Sequence, residues 1–229
     1  MEFTKLSNRL DLVASFVPAG ARLLDVGSDH AYLPIALLQE GKIEAAIAGE
    51  VVEGPYQSAL QNVADNGLED KIEVRLANGL AAFEPTDGIS CITIAGMGGR
   101  LIADILAAGL EKLASVSRLV LQPNNREDEL RSWLVDHNFR IVDEAILEEN
   151  EKFYEMLVVE QGSQELSAKE LRFGPYLMRE QAPAFVQKWS KEVEKLAFAL
   201  EQVPVENQSA RASLEERIAQ IKEVLHVSK

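Results

Sequence analysis

Cysteine is nearly missing from this chain, with Cys91 the only one among 229 residues. One thiol excludes an intramolecular disulfide and any cysteine-rich metal site. Histidine is scarce as well. His30, His137 and His226 show no metal-ligand spacing, so no metal is expected, and only His30 lies in a motif. No apolar run is long enough to cross a membrane, and the N-terminus lacks a signal-peptide pattern, which makes the cytoplasm the expected compartment. Positive charge is in deficit: 23 Lys and Arg stand against 37 Asp and Glu, a net charge of −14. That balance argues against a surface that binds nucleic acid throughout. The deficit is uneven, however. Residues 163–229 hold 10 basic and 10 acidic side chains, whereas residues 1–162 hold 13 and 27. A local RNA-binding surface stays open, with the neutral C-terminal part as its expected home.

Apolar residues make up 47% of the chain, enough for a true core. Leu6, Leu10, Val13 and Val17 recur at helical spacing, with Thr4 as the candidate N-cap and Pro18 as the stop. Strand signals follow at 22–26, 45–49, 72–76, 89–95 and 118–122, and helical patterns between them at 31–40, 55–66, 98–109 and 126–137. Two further strand-like runs, 139–147 and 153–160, are joined by an acidic turn with no helix between them, so they should pair antiparallel. Alternation of this kind predicts an α/β fold with a mostly parallel sheet and one antiparallel edge strand. The layout is that of a Rossmann-like methyltransferase sheet of seven strands, order 3-2-1-4-5-7-6.

From Ser163 the pattern changes. A short helical segment, Leu166 to Leu177, is broken at Gly174-Pro175. Two heptad-like seams follow, Val186, Trp189, Val193, Leu196, Leu200, Val203 and then Ala210, Leu214, Ile218, Ile221, Leu225. The short connection between them predicts an antiparallel coiled coil. The expected organisation is a cofactor-binding domain over 1–162 and a helical coiled-coil domain over 163–229.

The loops after the strands carry the chemistry, because ligands of open α/β sheets bind at the carboxyl ends of strands. The first reads Asp25-Val26-Gly27-Ser28-Asp29-His30-Ala31-Tyr32. It has one glycine and two carboxylates, which repel a pyrophosphate but accept hydrogen bonds from hydroxyls and attract a sulfonium. S-adenosylmethionine therefore suits it better than NAD, whose later fingerprint glycines are absent, or ATP. The plainer alternatives are an N-cap role for Asp29 and a structural hydrogen bond for Asp25. Glu50 ends the second strand about 23 residues past Gly27, where a carboxylate commonly binds ribose hydroxyls; by itself it also reads as a surface glutamate. Asn78-Gly79 follows the third strand and fits either an adenine contact or an Asn-Gly turn.

Ala95-Gly96-Met97-Gly98-Gly99 follows the fourth strand and leaves room for a flat base, or for a phosphate at the opening of a helix; Arg100 comes next, as an RNA-phosphate candidate or a solvated arginine. Gln122-Pro123-Asn124-Asn125-Arg126 follows the fifth strand, and its amides suit either a nucleobase edge or a helix cap. Trp133 has core spacing. Phe153-Tyr154 open the last strand, where one can face the pocket or both can reflect alternating burial.

Taken together, the sequence resembles the bacterial tRNA (adenine-22-N1)-methyltransferase family. The carrying residues are Arg9-Leu10, Leu24 to Pro34, Gly49-Glu50-Val51, Ala77-Asn78-Gly79-Leu80, Ile94 to Gly99, Leu121-Gln122-Pro123 and Lys152-Phe153-Tyr154-Glu155. The resemblance implies methyl transfer from S-adenosyl-L-methionine to N1 of an adenine in the D-arm region of tRNA, with no obligate protein partner evident. On this reading Asp25, Gly27, Ser28, Asp29, His30, Tyr32, Glu50, Val51, Asn78, Gly79, Ala95 and Gly96 hold the cofactor. Asp29, Gly96, Met97, Gln122 and Asn124 serve catalysis, and Arg9, Gly98, Gly99, Arg100, Pro123, Arg126 and Tyr154 meet the substrate. Lys169, Arg172, Arg179, Lys188, Lys191 and Lys195 are candidates for holding the tRNA body, or are solvated flanks of the coiled coil. The alternative is a methyltransferase acting on a small molecule or a protein; a non-catalytic binding protein is disfavoured by the intact cofactor motifs.

Overall fold

Strands that are apolar on both faces need helices on both faces, and a chain that alternates the two supplies them. The computed structural model, which describes residues 4–226, has this arrangement. The strands are β1 Ala21–Val26, β2 Ile43–Glu50, β3 Ile72–Leu76, β4 Cys91–Met97, β5 Arg118–Pro123, β6 Phe139–Glu149 and β7 Lys152–Gln161. They form one sheet in the order β3-β2-β1-β4-β5-β7-β6, as predicted. Pairing is parallel from β3 through β5, while β7 runs antiparallel to both β5 and β6. The chain steps outward from β1 to β2 and β3, then returns to place β4 on the other side of β1. The order therefore reverses between β1 and β4, and a crevice opens at their carboxyl ends.

Helices α1 Asn8–Phe16, α2 Tyr32–Gln39, α3 Glu53–Asp65, α4 Gly99–Ala108 and α5 Glu127–Asp136 cover the sheet. Neighbouring strand residues point to opposite faces. Leu24, Ile92 and Leu119 join a cluster with Ile102 and Leu106 of α4, whereas Leu23, Cys91 and Val120 join one with Val13 of α1 and Leu33 and Leu37 of α2. Burial pushes the Cys91 thiol up to about 12, which leaves it protonated and unreactive. The first helix starts later than its periodicity suggests. Ser7, not Thr4, is the N-cap, its Oγ accepting from the Leu10 N–H at 3.3 Å. Thr4 lies too far ahead and instead gives its N–H to Gln39 Oε1.

Beyond β7 come α6 Ala168–Phe173, α7 Pro175–Glu180, α8 Pro183–Gln202 and α9 Gln208–His226. The break at Gly174-Pro175 falls where expected. Contacts of Arg217 with Glu192 and of Arg211 with the carbonyls of Leu200 and Val203 show that α8 and α9 run antiparallel. The seam differs at its start: Phe185 is buried and Val186 is 38% exposed. There α8 packs on a third partner, since Phe185, Trp189, Phe173 and Leu177 share a cluster with Ile146 of β6 and Phe153 of β7.

A buried ionic junction reinforces that contact. Arg131 of α5 bonds Glu144 of β6 and Glu155 of β7, and Lys188 of α8 bridges Glu155 and Glu127. Glu144 also accepts the Tyr176 N–H, and Arg131 donates to the Leu171 carbonyl.

Candidate active site and adjoining groove

The loop after β1 is held from below. The N–H groups of Gly27 and Ser28 donate to the Gly49 carbonyl of β2. The Asp25 carboxylate is buried and accepts from Ser28 Oγ and Thr93 Oγ1, both at 2.6 Å. Burial raises its pKa, against those two bonds, which lower it. Asp25 therefore braces the loop, so a direct cofactor contact does not fit its placement. Asp29, His30 and Ala31 then take three successive left-handed conformations, with φ of 43°, 68° and 58°. Each such residue costs roughly 1–2 kcal/mol, and the surroundings must compensate. Glu50 Oε1 accepts the Asp29 N–H at 2.5 Å, and Asn62 Nδ2 donates to the His30 carbonyl.

Glu50 is thus fixed at the mouth of the crevice with only 5% of its surface exposed. Burial raises its pKa most, and the charges of Asp25 and Asp29 add to that, while the Asp29 N–H and His30 oppose it. Among the described residues its second oxygen has no protein donor. A turn with an N–H already committed to a carboxylate is a poor phosphate cradle, and a carboxylate with a free oxygen is a good acceptor for vicinal hydroxyls. Tyr32 is half-exposed and stacks on His30 at 5.3 Å, and the Asp29 side chain stands in solvent. Val51 and Asn78 are exposed at the next two strand ends. Gly79 answers a packing need, since a Cβ there would stand 2.9 Å from Ile105.

The β4 loop meets the β1 loop directly, because the Met97 side chain lies over Gly27 and a Cβ at Gly27 would collide with it. The glycines of this loop differ in what they permit. Gly96 has φ of 80°, is exposed, and would place a Cβ near only the Arg9 guanidinium. Gly99 is buried against the backbone of Asn125 and Arg126 and donates to the Asn125 carbonyl, while Gly98 abuts the Asn125 side chain. Room for a base is therefore at Gly96; at Gly99 the missing side chain serves helix–loop packing.

Gln122 is fully buried, and its amide is saturated by the protein. Oε1 accepts from Arg9 Nη1 at 2.7 Å and from the Gly96 N–H at 3.0 Å. Nε2 donates to the Pro123 carbonyl and to Asn124 Oδ1. Asn124 in turn donates to the Gly96 carbonyl at 2.7 Å. Gln122 thus has no valence left for a nucleobase edge, and Pro123 is buried; both expectations of substrate contact are corrected. Arg126 is tied to Glu129 and, like Arg100, stands outside the groove described next.

That groove, of about 1040 Å³, opens beside Gly96 and Asn124, passes Arg9, Tyr154 and Lys152, and runs between the sheet and the helical region to Trp189 and Arg217. Arg9 stacks over Tyr154, its guanidinium carbon 5.6 Å from the ring centre, so the first helix and the last strand bring these two candidates together. Lys152, Trp189 and Arg217 escaped notice as site residues because only the tertiary fold joins them. A second cavity, of about 450 Å³, lies at the beginnings of β2 and β3, away from these loops. Among the described residues no cluster of metal-ligating side chains occurs.

The family model described as tRNA (adenine(22)-N(1))-methyltransferase matches residues 23–223. The Bacillus subtilis (strain 168) tRNA (adenine(22)-N(1))-methyltransferase is 41% identical over 237 residues, covering 98% of this chain and 99% of that protein. A Streptococcus pneumoniae structure in complex with S-adenosyl-L-methionine superposes with a TM-score of 0.91 at 66% identity, covering 97% of this chain and 100% of that one. The M. capricolum enzyme of the same name as the family, solved with S-adenosyl-homocysteine, gives 0.85 at 29% identity, covering 98% and 99%.

Proposed function

The chain belongs to the tRNA (adenine(22)-N(1))-methyltransferase family, and on that premise we propose how its residues divide the work of methylating N1 of adenine 22 in tRNA. One observation carries the reading: the loop braced by Glu50 meets, through Met97, the open Gly96 at the head of a groove lined by cations and aromatics.

S-adenosyl-L-methionine, when bound, supplies an electrophilic methyl group. Glu50 would take the ribose hydroxyls with its free oxygen, Asn78 the adenine edge, and the Gly27–His30 turn the methionine part. The carboxylates of this crevice fit a cationic sulfonium.

Adenine N1 has an in-plane lone pair and is mostly unprotonated near neutral pH, so it takes the methyl group without a general base. The protein's contribution is then alignment and exclusion of water. The target base has to leave its stack to present N1, and Gly96 is where a flat ring can approach. Gln122 and Asn124 act as positioning residues that fix the Gly96 peptide from both sides. The N1–CH3 bond leaves the base cationic, and we assign the stabilisation of that charge to the Asp29 carboxylate. We assign residues 1–162 to cofactor binding and chemistry and 163–229 to substrate handling. No described helix is long and apolar enough to cross a membrane, and we place the enzyme with its tRNA in the cytoplasm.

The test is transfer of labelled methyl from S-adenosyl-L-methionine to unmodified tRNA, followed by nucleoside mapping. 1-Methyladenosine at position 22 is expected; its absence from tRNA would refute the assignment.

A further inference from the structure

Charge pairing separates the cations of the helical region into two groups. Lys169 is bound to Glu223, Lys188 to Glu127 and Glu155, and Lys191 to Glu148. These serve the protein's own architecture. Arg172 is different. Among the described residues it has no carboxylate at ion-pair distance; Nη1 donates to the neutral Gln220 side chain at 2.6 Å. Its guanidinium lies 4.9 Å from the centre of the Phe173 ring and 5.7 Å from that of Trp189, which fixes its plane.

Arg217 of α9 and Lys195 of α8 line the same groove. Both share a single carboxylate, Glu192, at 3.5 and 3.6 Å. Burial and the charge of Arg217 disfavour the cationic form of Arg172, and Glu192 and Asp128 oppose that. Arg172, Arg217 and Lys195 thus line the groove together with Glu192 and Asp128, three cations against two acids. Trp189, whose ring carries Arg172, is buried and its Nε1 has no hydrogen-bond partner, a condition that native proteins seldom leave uncorrected.

We propose that Arg172, held on the Phe173 and Trp189 rings, and Arg217 form an anion subsite that grips one phosphodiester of the RNA backbone while the target base is at Gly96. The assignment rests on tRNA being the substrate. A planar guanidinium held on aromatic faces, with N–H groups free to form paired bonds, is the residue type suited to a phosphate oxygen pair. Glu192 acts as a brake: it neutralises part of the site in free protein and competes with the phosphate.

The experiment measures tRNA affinity across a salt series for wild type, R172Q/R217Q and E192Q, with S-adenosyl-L-methionine affinity and thermal melting as controls. The double variant should bind tRNA about tenfold more weakly at physiological salt and lose about 0.9 from the log–log salt slope, the value for one phosphate contact. Cofactor binding should not change. E192Q should bind tRNA more tightly than wild type, which mere structural damage would not produce. A folded double variant with wild-type affinity and slope would overturn the subsite and leave the enzyme assignment standing. Should that variant fail to fold, E192Q decides: tighter binding supports the subsite, and unchanged or weaker binding overturns it. A wild-type protein that neither binds nor methylates tRNA would overturn the enzyme assignment and the subsite together.

Discussion

Glu50 has two duties on the proposed reading. Oε1 accepts the Asp29 N–H of the left-handed turn, and the other oxygen is the one we assign to the cofactor ribose. The two duties separate by substitution. E50Q keeps a carbonyl acceptor for Asp29 but loses charge; E50A loses both. Hydrogen bonds to charged groups are worth about 1.5–3 kcal/mol, so E50A should weaken cofactor binding by about 10- to 100-fold by calorimetry, and E50Q by less. Because burial raises the Glu50 pKa, its charged form gives way at a higher pH than an ordinary glutamate's. Cofactor affinity should be full above that raised pKa and decline as the solution is acidified through it, and E50Q should remove this component of the profile. Gln122 calls for a different readout. Q122E retains acceptors for Arg9 and Gly96 but cannot donate to Pro123 and Asn124, so the Gly96 peptide shifts. A loss of about 10- to 100-fold in kcat with near-normal cofactor affinity is expected. These two residues also mark what sequence can convey. The place of Glu50 at the end of β2 was legible, because the apolar run before it defines the strand. Gln122 was located correctly but given the wrong direction, since residue type cannot reveal that all of its hydrogen bonds close within the protein. Gly99 misled in the same way: a glycine looks alike whether it makes room for a ligand or for a backbone.

Among elements, the junction of α5, β6, β7 and α8 decides how the helical region is seated. Arg131 and its partners Glu144 and Glu155 are essentially without solvent contact. Burial alone would raise Glu155, but Arg131 and Lys188 outweigh it and hold the carboxyl below the usual glutamate range; Glu144, with burial dominant, is raised. Removing one member of such a cluster leaves an uncompensated buried charge, a cost of about 3–5 kcal/mol. R131M should lose stability of that order in urea unfolding. K188M should lose less, because the Lys188 side chain retains 22% exposure. Strand order was legible from alternation and the absence of a helix before the last strand. The junction was not, because Arg131, Glu144 and Glu155 resemble ordinary surface residues until three elements enclose them. For the same reason the heptad seam erred at Val186: its period assumed one partner helix, whereas the first turn of α8 answers to the hairpin and buries Phe185.

For the whole molecule, the change at residue 163 marks a change of element type, and the apolar cluster beyond it reaches back to the sheet. Ile146 of β6 belongs to the apolar cluster of Phe173, Leu177, Phe185 and Trp189, and Phe153 of β7 packs against it. The ionic junction spans the same boundary, with Lys188 reaching Glu155 and Arg131 reaching the Leu171 carbonyl. Apolar contact and buried charge therefore tie the helical region to the sheet, and neither is satisfied if the two separate. The full chain should melt in one cooperative calorimetric transition, with calorimetric and van't Hoff enthalpies in agreement. A fragment ending at residue 162 should melt well below the full chain and bind hydrophobic dye, because it exposes Ile146 and Phe153 and strips Lys188 from Glu155. Two separate transitions, or a fragment as stable as the parent, would show that the sheet domain is self-sufficient. The outcome also governs how loss of tRNA binding on truncation is to be read, since an unstable fragment loses its RNA for reasons unrelated to the groove. Point substitutions at Arg172, Arg217 and Glu192 avoid that confusion, for they alter the groove's charge and leave the junction intact.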